Sequence, residues 1–389
     1  MRILTVLMYY YPHWTGLTAY AQRLAEGMAR HGHQVTVLCA QYRKDLPLQD
    51  QLNGVRIVRV PTIGRLSRGV LMPTFPAVCA RLVREHDVVH LHAPLMEAPI
   101  AAWLARRVHK PVVFTDHGDL VMPDGLFNQF VERTVTAMMT QSLRWSDAIT
   151  THSQDYANNS VFLNPFLAKT RAIYPPIEIP RPVPEQVTAL RRELGLEGMP
   201  VVGFAGRFVE EKGFDYLLQA MPLVADKLPT VRFVYAGERN VVYENFYGRW
   251  KHLVDQNASR IVFLGLVTDR QRLANFYALC DAFAIPSRTD CFPSVQVEAM
   301  LCGTPLVTTD IPGAREAVRV TGMGKLVRPQ DPQAIAEGLV EMLMAPEPYL
   351  RSYEQVRSIF NTQRTIIEYE ELLESLIGKG KRGGRVEET

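Results

Sequence analysis

The chain has 389 residues, of which 47% are hydrophobic and 21% charged, with a formal charge of +3 at pH 7. This is the composition of a globular chain with a real core, and the length predicts two domains. So weak a positive charge gives no footing for nucleic acid, and the lack of any apolar run of about 18 residues excludes a membrane-spanning helix. The opening MRILTVLMYYYPHW carries one Arg and no small-residue cleavage site; it reads as a first core strand and not as a signal peptide. The cysteines, Cys39, Cys79, Cys280, Cys291 and Cys302, are odd in number and form no C-x-x-C pair. That pattern speaks against a disulfide framework or zinc site and fits the reducing cytoplasm.

The first half alternates short β-branched runs with amphipathic stretches. Strands are predicted at 2–8, 34–39, 55–60, 87–91, 111–115 and 147–151. Between the first two, Leu17, Tyr20, Leu24 and Met28 recur at helical spacing, and Gly32 can end that helix. Such alternation predicts a parallel sheet with helices on both faces. YPPIEIPRPVPE (174–185) then packs five prolines into twelve residues, which no helix or central strand tolerates, and reads as a linker. The grammar restarts with strands at 200–206, 231–237, 260–265, 281–286 and 305–309, and with Phe214, Leu217, Leu218 and Met221 at helical spacing. The expectation is an α/β chain of two Rossmann-like doubly wound domains, 1–176 and 177–360, facing across a cleft. Residues 361–377 form a long helix that can pack back on the first domain, and the Gly-rich 378–389 reads as a disordered tail. Ligands of open α/β sheets bind beyond the carboxyl ends of the strands, so chemistry belongs in the strand-to-helix loops.

Five loops carry candidate residues. After the first strand, Gly16 follows Thr15 at a helix start; it either lets a phosphate or sugar approach the backbone or sits in a plain helix start capped by Thr15. VVFTDHGDL (112–120) puts Asp116, His117 and Asp119 past a strand end, where they can meet sugar hydroxyls, with His117 as a proton relay, or form a turn bonded to its own backbone. The H-x-H of HLHAP (90–94) is read with its rings on opposite faces and no acidic partner at ligand spacing, which leaves no metal site. In GRFVEEKGFDYLL, Arg207 and Lys212 flank a helix N-terminus; a fork of donors plus a point charge suits a diphosphate, unless both pair with Glu210 and Glu211. No G-x-x-x-x-G-K-[ST] and no G-x-G-x-x-G follows a strand, which counts against an ATPase or a dehydrogenase. PSRTDCFPSVQVEAMLCGTP (286–305) places Asp290 and Glu298 around a strand-to-helix turn. If Ser294 caps that helix, Glu298 lies in its first turn and can accept from both ribose hydroxyls; otherwise the two acids are a surface Asp and a dipole-favoured Glu. Gly313 in IPGARE brings backbone N–H groups to a phosphate or makes an ordinary turn.

Taken together, these loops resemble the large family of retaining GT-B glycosyltransferases that use nucleotide sugars, of the type that builds bacterial glycans and lipid-linked glycans. The resemblance covers almost the whole chain and is most specific in PSRTDCFPSVQVEAMLCGTPLVTTDIPGARE, which is similar to the family's E-x7-E signature with Asp in the first place. It implies a retaining, metal-independent hexosyl transfer from a UDP- or GDP-linked sugar to a glycan or lipid-linked acceptor in cell-envelope polysaccharide or glycolipid synthesis. It implies that Arg207 and Lys212 hold the diphosphate, Glu298 the ribose and Asp290 the donor sugar. Gly16 would sit against the phosphates or donor, His117 by the transferred sugar and acceptor, and Val267 would offer backbone groups to the base. No cofactor beyond the donor substrate is implied. An epimerase or phosphorylase on the same fold, and an inactive sugar-nucleotide-binding protein, are the alternatives. The segments 65–85, with Arg65, Arg68, Arg81 and Arg84, and 125–145 mix basic and apolar residues. They allow peripheral contact with the inner face of the membrane, or else are core-facing helices with basic outer sides.

Overall fold

The computed structural model describes residues 1–66, 69–119, 125–241 and 244–383; Arg68, Leu120 and tail residues 384–389 lie outside them. The chain divides into two compact units, Met1–Pro176 with the segment from Thr362 onward, and Ile177–Asn361.

The first unit runs β1 (Arg2–Val6), α1 (Gly16–Arg30), β2 (Gln34–Gln41), β3 (Gln49–Leu52), β4 (Val55–Pro61), the hairpin β5 (Gly64–Leu66) and β6 (Gly69–Leu71), α2 (Phe75–Glu85), β7 (Val88–Ala93), α3 (Ala98–Arg107), β8 (Val112–Asp116), α4 (Leu126–Trp145), β9 (Ala148–Thr151), α5 (Gln154–Asn159) and β10 (Thr170–Ala172). Its main sheet has the order β10-β9-β8-β7-β1-β2-β4-β3, with only β3 antiparallel to its neighbour. All six residues of β7 and all five of β8 are buried, as expected of central parallel strands covered on both faces. α1 starts where Thr15 accepts from the Thr18 amide in a capping box, and it buries Tyr20, Leu24 and Met28.

The second unit runs α6 (Pro184–Glu193), β11 (Val201–Ala205), α7 (Phe214–Ala225), β12 (Arg232–Ala236), α8 (Phe246–Gln256), β13 (Ile261–Gly265), α9 (Arg270–Leu279), β14 (Ala282–Ile285), α10 (Ser294–Leu301), β15 (Leu306–Thr309), α11 (Glu316–Thr321), β16 (Gly324–Val327), α12 (Pro332–Met344) and α13 (Tyr353–Ile359). Its six strands, ordered β13-β12-β11-β14-β15-β16, are all parallel. β11 sits between β12 and β14, and in the first unit β1 sits between β2 and β7. At each of these positions the strand order reverses, and sheets of this kind bind ligands there.

The last helix, α14 (Thr362–Gly383), belongs to the first unit. It puts Ile366, Tyr369, Leu372 and Leu373 into the core beside Tyr20, Leu24 and Met28. Gly27 makes room for it, since a Cβ there would lie 2.2 Å from Ile366 Cδ1. Four such side chains contribute about 1.5–3 kcal/mol each in burial. The helix continues to Gly383, past the expected start of a tail at 378. Gly378 and Gly380 each cost only about 1 kcal/mol relative to Ala in a helix already nucleated by its docked face.

Of the two basic, apolar segments, the first is turned inward. α2 buries Phe75, Cys79, Leu82 and Val83 in the core and leaves Arg81 and Arg84 exposed. α4 behaves differently at its start, where Leu126 and Phe130 are exposed. No helix among the described residues is long and apolar enough to cross a membrane.

Candidate active site

The loop leaving β11 makes one short 3-10 turn, Glu210–Lys212, and enters α7 through Gly213 at φ +63°. A glycine is required there twice over. The left-handed conformation disfavours a side chain, and a Cβ would lie 2.0 Å from Pro286 O in the loop leaving β14. The two switch-point loops therefore touch backbone to backbone. Lys212 Nζ donates to Asp290 Oδ2 at 2.5 Å, joining two residues 78 positions apart. Burial works against the Lys212 charge, but Asp290 and Glu211 more than offset it and hold the ammonium above the usual lysine value. Arg207 reaches Glu211 at 3.2 Å and remains partly exposed. Of the two expected Glu pairings only this one forms, because Lys212 turns to Asp290 and Glu210 pairs with Arg249 instead.

Asp290 also forms a parallel bridge with Gly313. Gly313 has φ +82°, and a Cβ on it would lie 2.2 Å from Cys291 O and 2.5 Å from Asp290 O. The glycine is thus set by the close passage of the loop backbone. α10 begins at Ser294, with Pro293 in the cap position and no side-chain cap bond. Ser294 is therefore the first helical residue and not the cap, and Glu298 falls in the second turn and not the first, because Pro293 takes the cap position and the helix starts one residue earlier than expected. Glu298 is buried and accepts from the Tyr277 hydroxyl at 3.0 Å. Two residues earlier, the fully buried Gln296 has no hydrogen-bond partner at either amide atom among the described residues. Val267 lies in the loop between β13 and α9, at the same carboxyl edge of the sheet.

In the first unit, Gly16 is the first residue of α1, and a Cβ there would meet nothing within 4 Å. His117 follows β8 directly. Its Nε2 is 2.9 Å from His92 Nδ1 and its Nδ1 is 3.1 Å from His152 Nε2. The rings of His90 and His92 lie 4.2 Å apart, on one face of β7. The expectation that H-x-H splays its rings is wrong, since residues i and i+2 of a strand share a face. Asp116 is buried, and its Oδ2 has no partner among the described residues. Burial, and next the Asp119 charge, push its carboxyl up to about 7. Asp119 itself accepts from Ser160 at 2.8 Å.

A family model for glycosyl transferases group 1 matches residues 199–345, and one for a glycosyl transferase 4-like domain matches residues 15–176. The D-inositol 3-phosphate glycosyltransferase of Xylanimonas cellulosilytica is 30% identical over 361 residues, covering 84% of this chain and 83% of the relative. This chain belongs to the glycosyltransferases. The phosphatidyl-myo-inositol mannosyltransferase of Mycobacterium leprae is 28% identical over 365 residues, covering 88% of this chain and 87% of that one. Among solved structures, Anabaena HepE in complex with UDP and glucose superposes with a TM-score of 0.77 at 20% identity, covering 96% of this chain and all of that one. The fold of this glycosyltransferase is GT-B.

Sequence reasoning missed two residues that hold the glycosyltransferase loops in place. Arg288, just after β14, donates both Nη groups to the buried Asp215 at 2.8 and 2.6 Å. It also donates to Glu210 O at 2.7 Å and lies 4.2 Å over the Tyr216 ring. The signal available was an Asp in the first turn of an otherwise apolar helix face. Removing one partner of a buried pair leaves the other unpaired. Asp215→Ala should lower the stability of the chain by about 3 kcal/mol in urea unfolding, and the pair Asp215→Leu, Arg288→Met should recover most of that loss. A single-variant loss below about 1 kcal/mol would mean that the pair is solvated and does not brace the loop. Among the described residues, no group of three or more His, Cys, Asp or Glu is arranged to hold a metal ion.

Proposed function

We propose that this glycosyltransferase moves a hexose from a UDP- or GDP-linked donor to a glycan or lipid-linked acceptor, with retention and without a metal. The observation that carries this reading is Lys212, a lysine kept charged while partly buried at a sheet switch point, with Arg207 in the same loop. Breaking the sugar–phosphate bond places negative charge on the leaving nucleoside diphosphate and positive character on the anomeric carbon. Lys212, Arg207 and the N-terminus of α7 are preorganised for that anion.

The other roles follow the positions. Glu298, oriented by Tyr277, takes the ribose hydroxyls. Asp290 stands beside the donor sugar, and Val267 offers backbone groups to the base. Gly313 presents its backbone, and Gly16 lets the phosphates or the donor sugar approach α1. His117 attends the transferred sugar and the acceptor. A donor phosphate oxygen takes the acceptor proton in a front-face displacement, so the acceptor oxygen–carbon bond forms on the face from which the diphosphate leaves. The HepE complex with UDP and the inositol and phosphatidylinositol names of the relatives support a nucleotide-sugar donor and a polar or lipid acceptor, in the cytoplasm or at the inner membrane face.

Retention is tested by proton NMR of the product as it forms. The anomeric coupling should match that of the donor; the opposite anomer as first product would contradict the displacement. Membrane contact would use the outer side of α2 and α3, where Arg84, Trp103 and Arg107 lie together and the Arg107 guanidinium sits 4.5 Å over the exposed Trp103 ring. An indole and guanidinium side by side suit an anionic lipid interface. Flotation with anionic vesicles tests it, and a chain left at the bottom of the gradient removes it.

A further inference from the structure

The first unit contains a row of imidazoles whose geometry constrains them collectively. His92 ends β7, His117 follows β8 and His152 follows β9, so three adjacent parallel strands deliver three rings to one line. The bonds run from His92 Nδ1 to His117 Nε2 at 2.9 Å and from His117 Nδ1 to His152 Nε2 at 3.1 Å. Both nitrogens of His117 are engaged by the neighbouring rings. Tyr20 holds the row from the side, with its ring 4.7 Å from that of His117 in an edge-on contact and 5.0 Å from that of His152. Its hydroxyl lies 2.6 Å from that of Tyr369 on α14, and Tyr369 donates to Thr150 at 2.9 Å. His90 stands beside the row and is bonded to Thr115 at 2.6 Å.

Burial first, and the neighbouring imidazoles next, hold His92 and His117 well below the usual histidine range. Each ring is therefore neutral near pH 7 and carries one N–H and one lone pair. Two N–H groups cannot face each other across 2.9 Å, and neither can two lone pairs make a bond. The row has only two consistent states with neutral rings. Either all three rings carry the proton on Nδ1, or all three carry it on Nε2.

We propose that His92, His117 and His152 act as one tautomer-coupled unit, in which His92 and His152 are positioning residues that fix which nitrogen of His117 bears its proton. The two states differ only in which nitrogen of each ring bears its proton, so the three rings carry three protons in both and the row neither gains nor loses one. The two ends of the row, Nε2 of His92 and Nδ1 of His152, are buried and have no hydrogen-bond partner among the described residues. The coupling rests on ring geometry alone; only its effect on turnover rests on the role proposed for His117.

The test is a two-bond proton–nitrogen correlation spectrum of the full chain labelled with nitrogen-15 histidine at pH 7, in the wild type and in His152→Phe. The expected result is a single shared tautomer for all three rings in the wild type. In His152→Phe the nitrogen shifts of His92, two rings away, should move toward a mixed population. Unlike tautomers among the three wild-type rings overturn the proposal, and so does an unchanged His92 in a folded variant. Should His152→Phe not fold, the wild-type spectrum decides by itself. A coupled row combined with full turnover in His117→Phe would sink the proposed role of His117 and leave the coupling standing.

Discussion

Lys212→Met should lower turnover by roughly 10²–10³-fold, the usual cost of deleting one preorganised charge aimed at a leaving group. The methionine keeps much of the side-chain length and removes the charge, so a melting temperature within a few degrees of wild type separates a catalytic loss from an unfolded chain. The substitution also orphans Asp290, whose carboxylate is largely buried, and some loss of stability accompanies it. Asp290 gives the complementary reading. It holds Lys212 in the unliganded site, so Asp290→Ala should free the ammonium and tighten binding of the nucleoside diphosphate, while turnover falls at least about tenfold through loss of the donor-sugar contact. Asp290→Glu should retain turnover. Calorimetric titration with UDP and GDP together with initial rates reads both effects. If neither Asp290 change alters turnover, Asp290 has no part in the chemistry.

Acid should unfold the first unit well before carboxylate titration alone would. Burial drives His90 and His152 down to about 3, and His92 and His117 also lie well below their usual value. A folded pKa below the unfolded one gives stability that is present above about 6.5 and lost as pH falls. Asp116 has the opposite sign. Its raised carboxyl stabilises fully below about 4 and loses that contribution as pH rises through about 7. Between pH 6.5 and 4 the unfolded chain thus takes up four imidazole protons, while the folded chain holds one extra on Asp116. The net uptake of about three protons costs about 4 kcal/mol per pH unit. Against a typical stability of about 5–15 kcal/mol, the unit should lose its fold between about pH 5 and about pH 3. Thermal melts followed by circular dichroism across that range check this, and a midpoint that stays level from pH 7 to 5 would mean the imidazoles are solvated.

The doubly wound sheets were legible in the sequence because central parallel strands are continuous apolar runs and α1 and α7 carry clean helical periods. Three of the four edge strands were not, whereas β13 was. β3 reads QDQL with three exposed residues, β10 is only three residues long, and β16 (GKLV) has one buried position, so neither length nor apolar pattern marks them. At the candidate site, residue types and loops were readable, but contacts were not. Nothing local to Lys212 says that it turns to Asp290 and leaves Glu210 and Glu211. That choice belongs to the packing of the β11 and β14 loops, which meet at Gly213 and Pro286. Arg288 and Asp215 were overlooked for the same reason, since a buried ion pair is a property of two distant segments. The histidine row was visible only in pieces, as HLHAP, TDHGD and TTHS, and the sheet register that aligns them is tertiary information. The misplacement of Glu298 by one helical position came from Pro293, whose capping position depends on the path of the preceding loop.

The central claim, transfer from a nucleotide sugar, is tested most directly by incubating the chain with UDP-, GDP- and ADP-sugars, with and without lipid and glycan extracts, and weighing the products by mass spectrometry. The account predicts release of a nucleoside diphosphate from a UDP- or GDP-sugar, with the hexose mass added to an acceptor. No nucleoside diphosphate from any donor, even with acceptor extracts present, would contradict it.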